Sequence, residues 1–588
     1  MVQLKFSLRT VPLALLLVCI LAFGLLIPWL GFYQDDWYQV WFGRAFGSGV
    51  FVDYYSDERP FIAGIYMLTM SIVGTSPFNW QVFGLLSRFV AVLGVYWLLR
   101  VVWPDRVRQA IWTSILFAIY PAFRQQYASV IYSHYFLQMA IQMLSLGMMV
   151  LAIRQPRRFW LWTILSMLAG AFGLFTSEYF FGLELLRPFF IWVALGEQSS
   201  TSWRERVVKT LRLWVPYLII LMGFLVWRIF IFKFPTYQPI IFQDIQPNYL
   251  VLVTGLINTI LQDVLEVGLL SWGQTLRLFS DLGTRQPSAI AALALALVSA
   301  LILAVYLVKL QVSPCSAGET SKSDRKDALS LVLIGLISLL AAGWPFWFVG
   351  LPVDTHLVGG SRFTISFMFG ASLLLVGLLD LLMRKIWLKN LCVTVLVGMA
   401  IGFHFRDANY FRQIHMTQAE FFQQLAWRAP GLKPGTLILT NTFQEPLLNG
   451  DNSLTAALNW IYDPTPPYTL DYMLFYLPSR IESGNLPRLE PDLPVLKELR
   501  NASFTGSTSQ ALAVYYSPPR CLRVLDPEID QGLSKPVDMP REMKDAVVIS
   551  NLAQIIPETA LPAHLPEELF RYLPPENTWC YYSTFAVT

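Results

Sequence analysis

The chain has 588 residues, of which 55% are hydrophobic, 15% aromatic and 14% charged, and its mean hydropathy is +0.50. Soluble domains usually contain about 25% charged residues, so this composition predicts a membrane protein. With 43 Lys and Arg against 39 Asp and Glu, the net charge of +4 does not indicate a nucleic-acid partner.

The first predicted element is the uncharged segment 11–30, which as a helix would span about 30 Å, the thickness of a bilayer core. Lys5 and Arg9 precede it, as basic residues precede a secretory signal. The apolar run is long for such a signal and no small-residue cleavage motif follows. We therefore interpret the segment as an uncleaved first transmembrane helix with its N-terminus in the cytoplasm.

Apolar segments continue through the first two-thirds of the chain and give about eleven spans in all. After 11–30 they are 78–103, 109–122, 131–153, 159–176, 180–195, 213–232, 287–308, 329–350, 363–383 and 390–404. The connections predicted to be cytoplasmic are rich in arginine and lysine, whereas the opposite connections 123–130 and 351–361 hold one basic residue between them, Arg124. This pattern predicts a multi-pass protein of the cytoplasmic membrane with its C-terminal region outside.

Two connections on the predicted outer side are long. Residues 31–77 form a first external loop whose apolar segment 61–74 is too short to span, so we expect a helix lying at the membrane interface. Residues 233–286 form a second external loop, in which the apolar segment 249–261 is followed by acidic residues. A re-entrant or interfacial helix is expected there, and a pair of additional spans is the alternative.

The composition changes after residue 404, since 20 of the 36 prolines lie beyond it and no later segment is long and apolar enough to span. Segments typical of short strands are 436–441, 511–516 and 546–551. The segment 453–462 is typical of a helix. The sequence therefore predicts a helical membrane domain over 1–404 and an extracytoplasmic α/β or α+β domain over 405–588.

Two common classes of sequence motif do not occur, and this reduces the number of candidate functions. No Cys/His pattern has zinc-ligand spacing and no nucleotide-binding glycine loop occurs, so ATP-driven transport and redox chemistry lose their main support. Cys521 and Cys580 both lie in the predicted outer domain, where a disulfide is permitted, and their spacing leaves the pairing open.

Charged side chains close to the membrane plane are costly and need a functional or structural reason. The predicted topology brings those of several distant segments to the same outer face. They are Asp35, Asp36, Asp57, Glu58, Arg59, Arg124, Glu178 and Arg362, together with His134. This convergence predicts a site at the outer membrane face.

The side chains in this set suit sugar transfer from a lipid phosphate. A carboxylate among aromatic rings is desolvated, which raises its pKa and strengthens it as a base. Arg59 and Arg362 could grip a phosphate through charge-assisted hydrogen bonds, and aromatic rings fit the apolar faces of a sugar. The acid would deprotonate an acceptor hydroxyl while arginine or a metal ion stabilises the leaving phosphate.

The same residues also have structural interpretations. Asp35 and Asp36 could form a solvated loop after a membrane helix, and the charged group 57–59 could be a local ion cluster. Glu178 could cap a helix, and His134 could be an interfacial hydrogen-bonding residue.

The sequences QDDW at 34–37 and DERPFIAGIYML at 57–68, placed after an N-terminal membrane helix, resemble the first external loop of the GT-C superfamily. This superfamily of integral-membrane glycosyltransferases includes protein O-mannosyltransferases and lipid A aminoarabinose transferases. The resemblance covers roughly 10–405 and is clearest over 30–105. It implies a polyprenyl-phosphate-linked sugar donor and transfer with inversion.

Carried over to this sequence, the resemblance implies that Asp35 is the catalytic base and that Asp36 assists it or binds a metal ion. The acidic residues at 57–58 correspond to a later acid of the loop, and Glu178 and Arg362 match a recurring glutamate and arginine.

We therefore predict a membrane glycosyltransferase that moves a sugar from a polyprenyl-phosphate donor to a glycan, lipid or protein acceptor. Asp35 and Asp36 are assigned to catalysis, and Arg59 and Arg362 to the donor phosphate. The remaining substrate contacts are assigned to Asp57, Glu58, Arg124, His134 and Glu178. No cofactor is certain, and a divalent cation is a candidate. The alternative functions are a flippase or export component for lipid-linked glycans and a membrane sensor.

Overall fold

The computed structural model describes residues 5–196, 202–232, 249–280, 286–311, 320–351, 353–443, 449–463, 469–486, 488–531, 539–557 and, with breaks at 560–561, 572 and 574–577, 559–585. Eleven helices within these ranges are long and apolar enough to cross a bilayer, so the chain is a multi-pass integral membrane protein. In chain order they are Leu8–Trp29, Pro77–Val102, Ser129–Arg154, Pro156–Thr176, Glu178–Gly196, Trp203–Ile231, Val253–Phe279, Pro287–Lys309, Arg325–Trp347, Gly359–Leu382 and Ile386–Arg428. A shorter apolar helix, Pro60–Val73, lies in the first loop.

The segment 109–122 differs from the prediction of a full membrane span. Its helix covers Val107–Ala118, and twelve residues reach only about 18 Å. The chain that follows, 119–128, is non-helical and, apart from the half-buried Arg124, buried. Non-helical backbone at membrane depth is tolerated where protein surrounds it, so helix and buried chain together replace the predicted span.

The helix Val253–Phe279 is a candidate membrane span that the sequence did not predict as its first choice. A re-entrant or interfacial helix was expected in this region. Trp347 donates its indole N–H to Asp263 (2.7 Å), and Gln274 donates its side-chain amide to Thr355. Residues 233–248 and 281–285 of the predicted second loop lie outside the described residues, and the topology of this loop stays a prediction.

The C-terminal region contains two small sheets. Their strands are β1 Thr436–Thr440, β2 Thr469–Leu470, β3 Tyr472–Tyr476, β4 Pro494–Leu499, β5 Ala502–Ser507, β6 Ala511–Tyr515 and β7 Arg523–Val524. One sheet has the order β3-β1-β6-β7, with β1 parallel to β3 and β6 and with β7 antiparallel to β6; the other has the order β2-β5-β4. Strands β1, β3 and β6 are apolar and fully buried, as expected for parallel strands covered on both faces. The predicted fold class, a polytopic helical membrane protein with a C-terminal α/β region, is confirmed.

The predicted strand at 546–551 is wrong. The helix Arg541–Ala546 ends there and a short 3₁₀ turn, Val547–Ile549, follows. The chain then meets β6 through the Ser550 hydroxyl, which accepts from the amide of Ala513 (3.1 Å). The Asn551 amide also donates to the carbonyl of Ala511 (2.7 Å), so one side-chain contact and one backbone hydrogen bond take the place of a continuous ladder.

The last membrane helix connects the two regions without a break. Ile386–Arg428 has 43 residues and reaches about 65 Å, roughly twice a bilayer core. The predicted boundary at residues 404 and 405 lies inside it, and the domain boundaries stay a prediction. Its final turns place Phe421, Phe422 and Leu425 in the hydrophobic core beneath the sheet.

The first loop belongs to the same hydrophobic core as the C-terminal sheet. Trp37 stacks on Phe570 with ring centroids 5.9 Å apart, and the Arg44 guanidinium lies 4.7 Å from the centroid of Trp460. The loop is therefore held between the membrane helices and the C-terminal region, and this arrangement encloses the cavity described below.

Cys521 and Cys580 form a disulfide, which settles the pairing that their spacing left open. Arg428, the last residue of the long helix, donates to the carbonyl of Cys580 (3.1 Å). The disulfide and this hydrogen bond fasten the end of the chain to the rest of the C-terminal region.

Candidate functional site

A cavity of about 600 Å³ lies between the ends of the membrane helices, the first loop and the C-terminal region. Its charged lining residues are Asp35, Glu58, Arg59, Glu178, Arg228, Arg362 and Arg500. Its tyrosines are Tyr38, Tyr54, Tyr55, Tyr66, Tyr132, Tyr135 and Tyr179. The structure thus brings together five of the nine residues singled out in the sequence: Asp35, Glu58, Arg59, Glu178 and Arg362.

The backbone turns just before Asp35. Gln34 has a φ of +51°, in the left-handed region that residues other than glycine rarely adopt. The helix Asp36–Phe46 begins directly after this turn. The two adjacent carboxylates consequently face different surroundings, because Asp35 lines the cavity and Asp36 is fully buried outside its lining.

The electrostatic surroundings of Asp35 fit a base. Burial among the atoms of the cavity wall raises its pKa, and the nearby charge of Glu58 acts in the same direction. A hydrogen bond from the Tyr38 hydroxyl and the charges of Arg362 and Arg500 oppose this shift, but the pKa remains raised. The side chain is exposed to the cavity, so a ligand there can reach it.

Asp36 contacts backbone instead. Its Oδ1 accepts a hydrogen bond from the amide of Ile131 (3.1 Å), in the first turn of the helix Ser129–Arg154. A carboxylate at a helix N-terminus satisfies amides that lack intrahelical partners and interacts favourably with the helix dipole. Burial raises the pKa of Asp36 well above its usual range. Asp36 therefore anchors the first loop to a membrane helix.

Arg59 and Glu178 form a forked ion pair across the cavity wall. Arg59 donates from Nη2 to Oε1 of Glu178 (2.6 Å) and from Nε to Oε2 (3.2 Å). The Arg59 guanidinium also lies 5.9 Å from the ring centroid of Tyr179. The guanidinium predicted to hold a donor phosphate is thus already engaged with a carboxylate, and the pair joins the first loop to the helix Glu178–Gly196.

Arg500, which the sequence did not single out, reaches the cavity from the C-terminal region. It lies in the turn between β4 and β5 with a φ of +55°. Its guanidinium bonds Oε1 of Glu58 (2.8 Å) and stands 5.1 Å from the ring centroid of Tyr54. The sequence signal was weak, since a single arginine followed by Asn501 in a surface turn is common.

The charges of the cavity lining favour an anionic ligand. Four arginines, Arg59, Arg228, Arg362 and Arg500, stand against three carboxylates, Asp35, Glu58 and Glu178. Two of the carboxylates are held in ion pairs with Arg59 and Arg500. The carboxylate of Asp35 therefore shares the cavity with an excess of positive charge, as a base beside an anion-binding subsite would.

The tyrosines of the cavity lining form an aromatic wall made of two groups. Tyr54 and Tyr55 have ring centroids 4.7 Å apart, and Tyr55 and Tyr66 are 4.8 Å apart. In the second group the ring centroids of Tyr135 and Tyr179 are 4.5 Å apart. Hydroxyl-bearing rings at this density offer both apolar faces and hydrogen bonds, which suits a sugar.

Three other predicted residues lie outside the lining of this cavity. Asp57 is exposed at the surface of the first loop. His134 is buried, where its Nε2 and the Thr69 hydroxyl are 2.9 Å apart and its ring stacks on Tyr66 with centroids 4.0 Å apart. Arg124 is bonded bidentately to Asp407 (2.9 and 2.7 Å) and lines a second cavity.

Within the described residues, no group of three His, Cys, Asp or Glu side chains is placed to hold a metal ion. Asp36, which the sequence suggested as a metal ligand, does not line the cavity and bonds a backbone amide. In the cavity, positive charge comes from arginine side chains.

Together these features describe a multi-pass membrane protein with an acid–arginine–tyrosine cavity where its helices end. Two solved structures of ArnT from Cupriavidus metallidurans, in the apo state and bound to undecaprenyl phosphate, are similar to this chain with TM-scores of 0.35 and 0.33 and 14% identity each. The match to the apo structure covers 86% of this chain and 92% of the ArnT chain. The match to the structure with undecaprenyl phosphate covers 74% of this chain and 83% of the ArnT chain. No protein-family model matches the sequence, and no curated protein matches it significantly. TM-scores this low carry no argument about function, which is therefore inferred from the residues of the cavity.

Proposed function

We propose that the chain is a membrane glycosyltransferase of the GT-C type, which transfers a sugar from a polyprenyl-phosphate donor to an acceptor. The observation that carries the proposal is the position of Asp35. Its carboxylate faces a cavity of about 600 Å³ that contains four arginines and a tyrosine wall and opens at the ends of membrane helices. A base, an anion subsite and a sugar platform are the three parts that this reaction requires.

In the proposed step, Asp35 accepts the proton of the acceptor's nucleophilic group. The acceptor atom then attacks the anomeric carbon of the sugar, and the bond from that carbon to the phosphate oxygen breaks. The lipid phosphate leaves with the bonding electrons, so the products are the glycosylated acceptor, the polyprenyl phosphate and a protonated Asp35. Attack from the side opposite to the phosphate inverts the anomeric configuration.

Arg362 is the first choice for the donor phosphate. It lines the cavity, it is the fourth residue of the membrane helix Gly359–Leu382, and its charge lowers the pKa of Asp35. Guanidinium groups bind phosphate oxygens in a fork and do not lose their charge. Arg59 would contribute through its pair with Glu178, which positions it beside the same space. Charge that develops on the phosphate in the transition state would thus meet preorganised donors.

The acceptor would enter beside the C-terminal region. Arg500, Asn452 and Ser453 line the cavity from that side, opposite to the membrane helices. A donor with a long lipid tail has to approach from the bilayer, which leaves this polar side for the acceptor. Glu58, bonded to Arg500, would lie where the two substrates meet.

The proposed orientation places the N-terminus in the cytoplasm and the C-terminal region outside the cytoplasmic membrane. The arginine and lysine residues of the alternate connections support it. The Cys521–Cys580 disulfide supports it independently, because disulfides persist in oxidising compartments and are rare in the cytosol.

The direct test is transfer by the purified protein in proteoliposomes from a panel of radiolabelled polyprenyl-phosphate sugars to extracts of the cell envelope. Asp35→Asn is expected to lower the rate about 10²- to 10⁴-fold, the usual contribution of a general base, without weakening donor binding. Asp36→Asn is the matched control at the neighbouring position and is expected to keep a rate within about ten-fold of the unmodified protein. If Asp35→Asn transferred as fast as the unmodified protein, the assignment of this cavity as a glycosyltransferase site would fail.

A further inference from the structure

A second cavity, of about 370 Å³, lies beside the first, and Leu357 and Gly359 line both. We call it the arginine pocket, because Arg124, Arg277 and Arg406 line it together with His356 and one carboxylate, Asp407. The proposed transfer reaction does not use it. The three arginines come from the chain before Ser129–Arg154, from the end of Val253–Phe279 and from the helix Ile386–Arg428.

The three arginines have different roles within the pocket. Arg124 is engaged by its neighbours, since Asp407 takes two of its donors and the carbonyl of His356 a third (3.1 Å). Arg406 donates to the backbone carbonyl of Arg277 and so fixes the end of that helix. Arg124 and Arg406 thus hold the segments around the pocket together, and Arg124 neutralises the charge of Asp407.

Arg277 contributes to the surplus positive charge of the pocket. Its side chain is exposed, and within the described part of the chain it makes one side-chain hydrogen bond, to Nδ1 of His356 (3.1 Å). A guanidinium has five donors in a planar fork, so this contact leaves most of its hydrogen-bonding capacity for a ligand. Glu266 lies 3.7 Å from His356, on the far side of the imidazole from Arg277, and also accepts from the Thr355 hydroxyl. Even with Glu266 included, the groups around the pocket retain a positive excess.

The pocket is placed where a lipid headgroup would lie. Arg277 is two residues from the end of Val253–Phe279, and Gly359 is the first residue of Gly359–Leu382. Phe403 and Leu357 give the lining an apolar side next to the charged one. Guanidinium groups bind phosphate oxygens through charge-assisted hydrogen bonds, and a lipid whose phosphate lay here would keep its acyl chains in the bilayer.

We propose that the arginine pocket binds the phosphate of an anionic lipid, separately from the Asp35 cavity and independently of sugar transfer. The shared chemistry is a phosphate mono- or diester. The membrane-boundary position and the apolar side assign it to a lipid and not to free phosphate.

Native mass spectrometry of the purified protein with phosphatidylglycerol or phosphatidylcholine tests the proposal. The unmodified protein is expected to retain phosphatidylglycerol in preference to phosphatidylcholine. Arg277→Gln is expected to reduce this retention about ten-fold, which corresponds to about 1.4 kcal/mol. The matched control is Arg412→Gln, on the helix that carries Arg406 but outside the lining, where Arg412 bonds Asn409 (3.0 Å).

Arg277 is exposed and has few contacts, so its replacement should not disturb folding, which size-exclusion chromatography checks. Arg277→Lys, which keeps the charge without the fork, is expected to give intermediate retention. Equal retention of both lipids, or full retention of phosphatidylglycerol by Arg277→Gln, would overturn the proposal. Saturable binding of inorganic phosphate without retention of phosphatidylglycerol would overturn the assignment to a lipid.

Discussion

Arg500 of the C-terminal region and Glu58 of the first loop form an ion pair 2.8 Å long at the wall of the Asp35 cavity. Ten of the eleven candidate membrane helices lie between the two residues in the sequence, yet both residues line the same cavity. Burial has the largest effect on the pKa of Asp35; the charge of Arg500 lowers this pKa and that of Glu58 raises it, so the pair contributes to the tuning of the proposed base. The C-terminal region is therefore a part of the site and not an appended module.

Replacing Arg500 is expected to move the acid limb of activity to higher pH. Arg500 holds down the pKa of Asp35, so Arg500→Gln should let it rise further above its usual range. A base works only when ionised, and activity is lost as pH falls through its pKa; a higher pKa therefore means loss at higher pH. The pH dependence of kcat/KM reports this pKa in the free enzyme.

Arg500→Lys is the control, because it keeps the positive charge beside Glu58 and should leave the acid limb nearly in place. A limb that did not move in Arg500→Gln, or that moved to lower pH, would contradict the role of Asp35 as the titrating base.

Glu58→Gln is expected to act in the opposite direction. Its negative charge raises the pKa of Asp35, and its removal also leaves Arg500 free to interact more strongly with that carboxylate. The acid limb of kcat/KM should therefore move to lower pH. Opposite shifts in Glu58→Gln and Arg500→Gln would distinguish an electrostatic effect from general damage to the cavity, which would lower the rate without a signed shift.

Asp36 is expected to matter for stability more than for chemistry. Asp36→Ala removes the acceptor of the Ile131 amide at a buried helix N-terminus, which should cost about 1–3 kcal/mol of unfolding free energy. Asp36→Asn keeps an acceptor oxygen of nearly the same shape and should cost less. Thermal unfolding in detergent measures both, and the rate per folded molecule should stay within about ten-fold of the unmodified protein. Equal unfolding temperatures for the Ala and Asn variants would argue against this anchoring role.

The sequence could predict the fold class because it depends on features that are local in the chain. Apolar length, basic connections and proline distribution are sufficient for the polytopic helices and the C-terminal α/β region. The full span predicted at 109–122 was wrong because the helix ends at Ala118 and the buried chain that follows is non-helical, which hydropathy does not distinguish from a helix.

The sequence could predict which segments meet at the candidate site, but not which side chains of those segments face the cavity. The topology brought Asp35, Glu58, Arg59, Glu178 and Arg362 to one place, and the structure puts them in one cavity. Which of two adjacent aspartates faces that cavity depends on a left-handed turn at Gln34, a residue type that gives no clear turn signal. The role of Arg500 depends on how a distant turn packs over the first loop, which no local pattern encodes.

The Cys521–Cys580 disulfide is expected to stabilise the C-terminal region. The bond joins residues 59 positions apart, and removing a disulfide with a loop of that size typically costs about 2–4 kcal/mol. Cys521→Ser and Cys580→Ser should each lower the unfolding temperature, and the double variant should unfold like either single one. Reductant should lower the unfolding temperature of the unmodified protein to that of the variants. An additional loss in the double variant would mean that the thiols contribute separately.

Arg59 and Glu178 are expected to be energetically coupled, since each would leave a poorly hydrated charge behind if the other were removed. Their side chains are 17% and 23% exposed, and they share two hydrogen bonds. Arg59→Gln and Glu178→Gln should each destabilise the protein, and the double variant should recover about 1–3 kcal/mol relative to the sum of the single changes. Unfolding of the four proteins in the same detergent gives this coupling energy.

The same four proteins (the unmodified protein, the two single variants and the double variant) also test whether Arg59 contributes to substrate binding. If Arg59 is held beside the donor phosphate by Glu178, then Glu178→Gln should raise KM for the lipid donor with less effect on kcat, because a misplaced guanidinium weakens ground-state binding first. Arg59→Gln should raise KM at least as much, and adding Glu178→Gln to it should change KM little further. A KM effect of Glu178→Gln that persisted at full size without Arg59 would show that the carboxylate contacts the substrate directly.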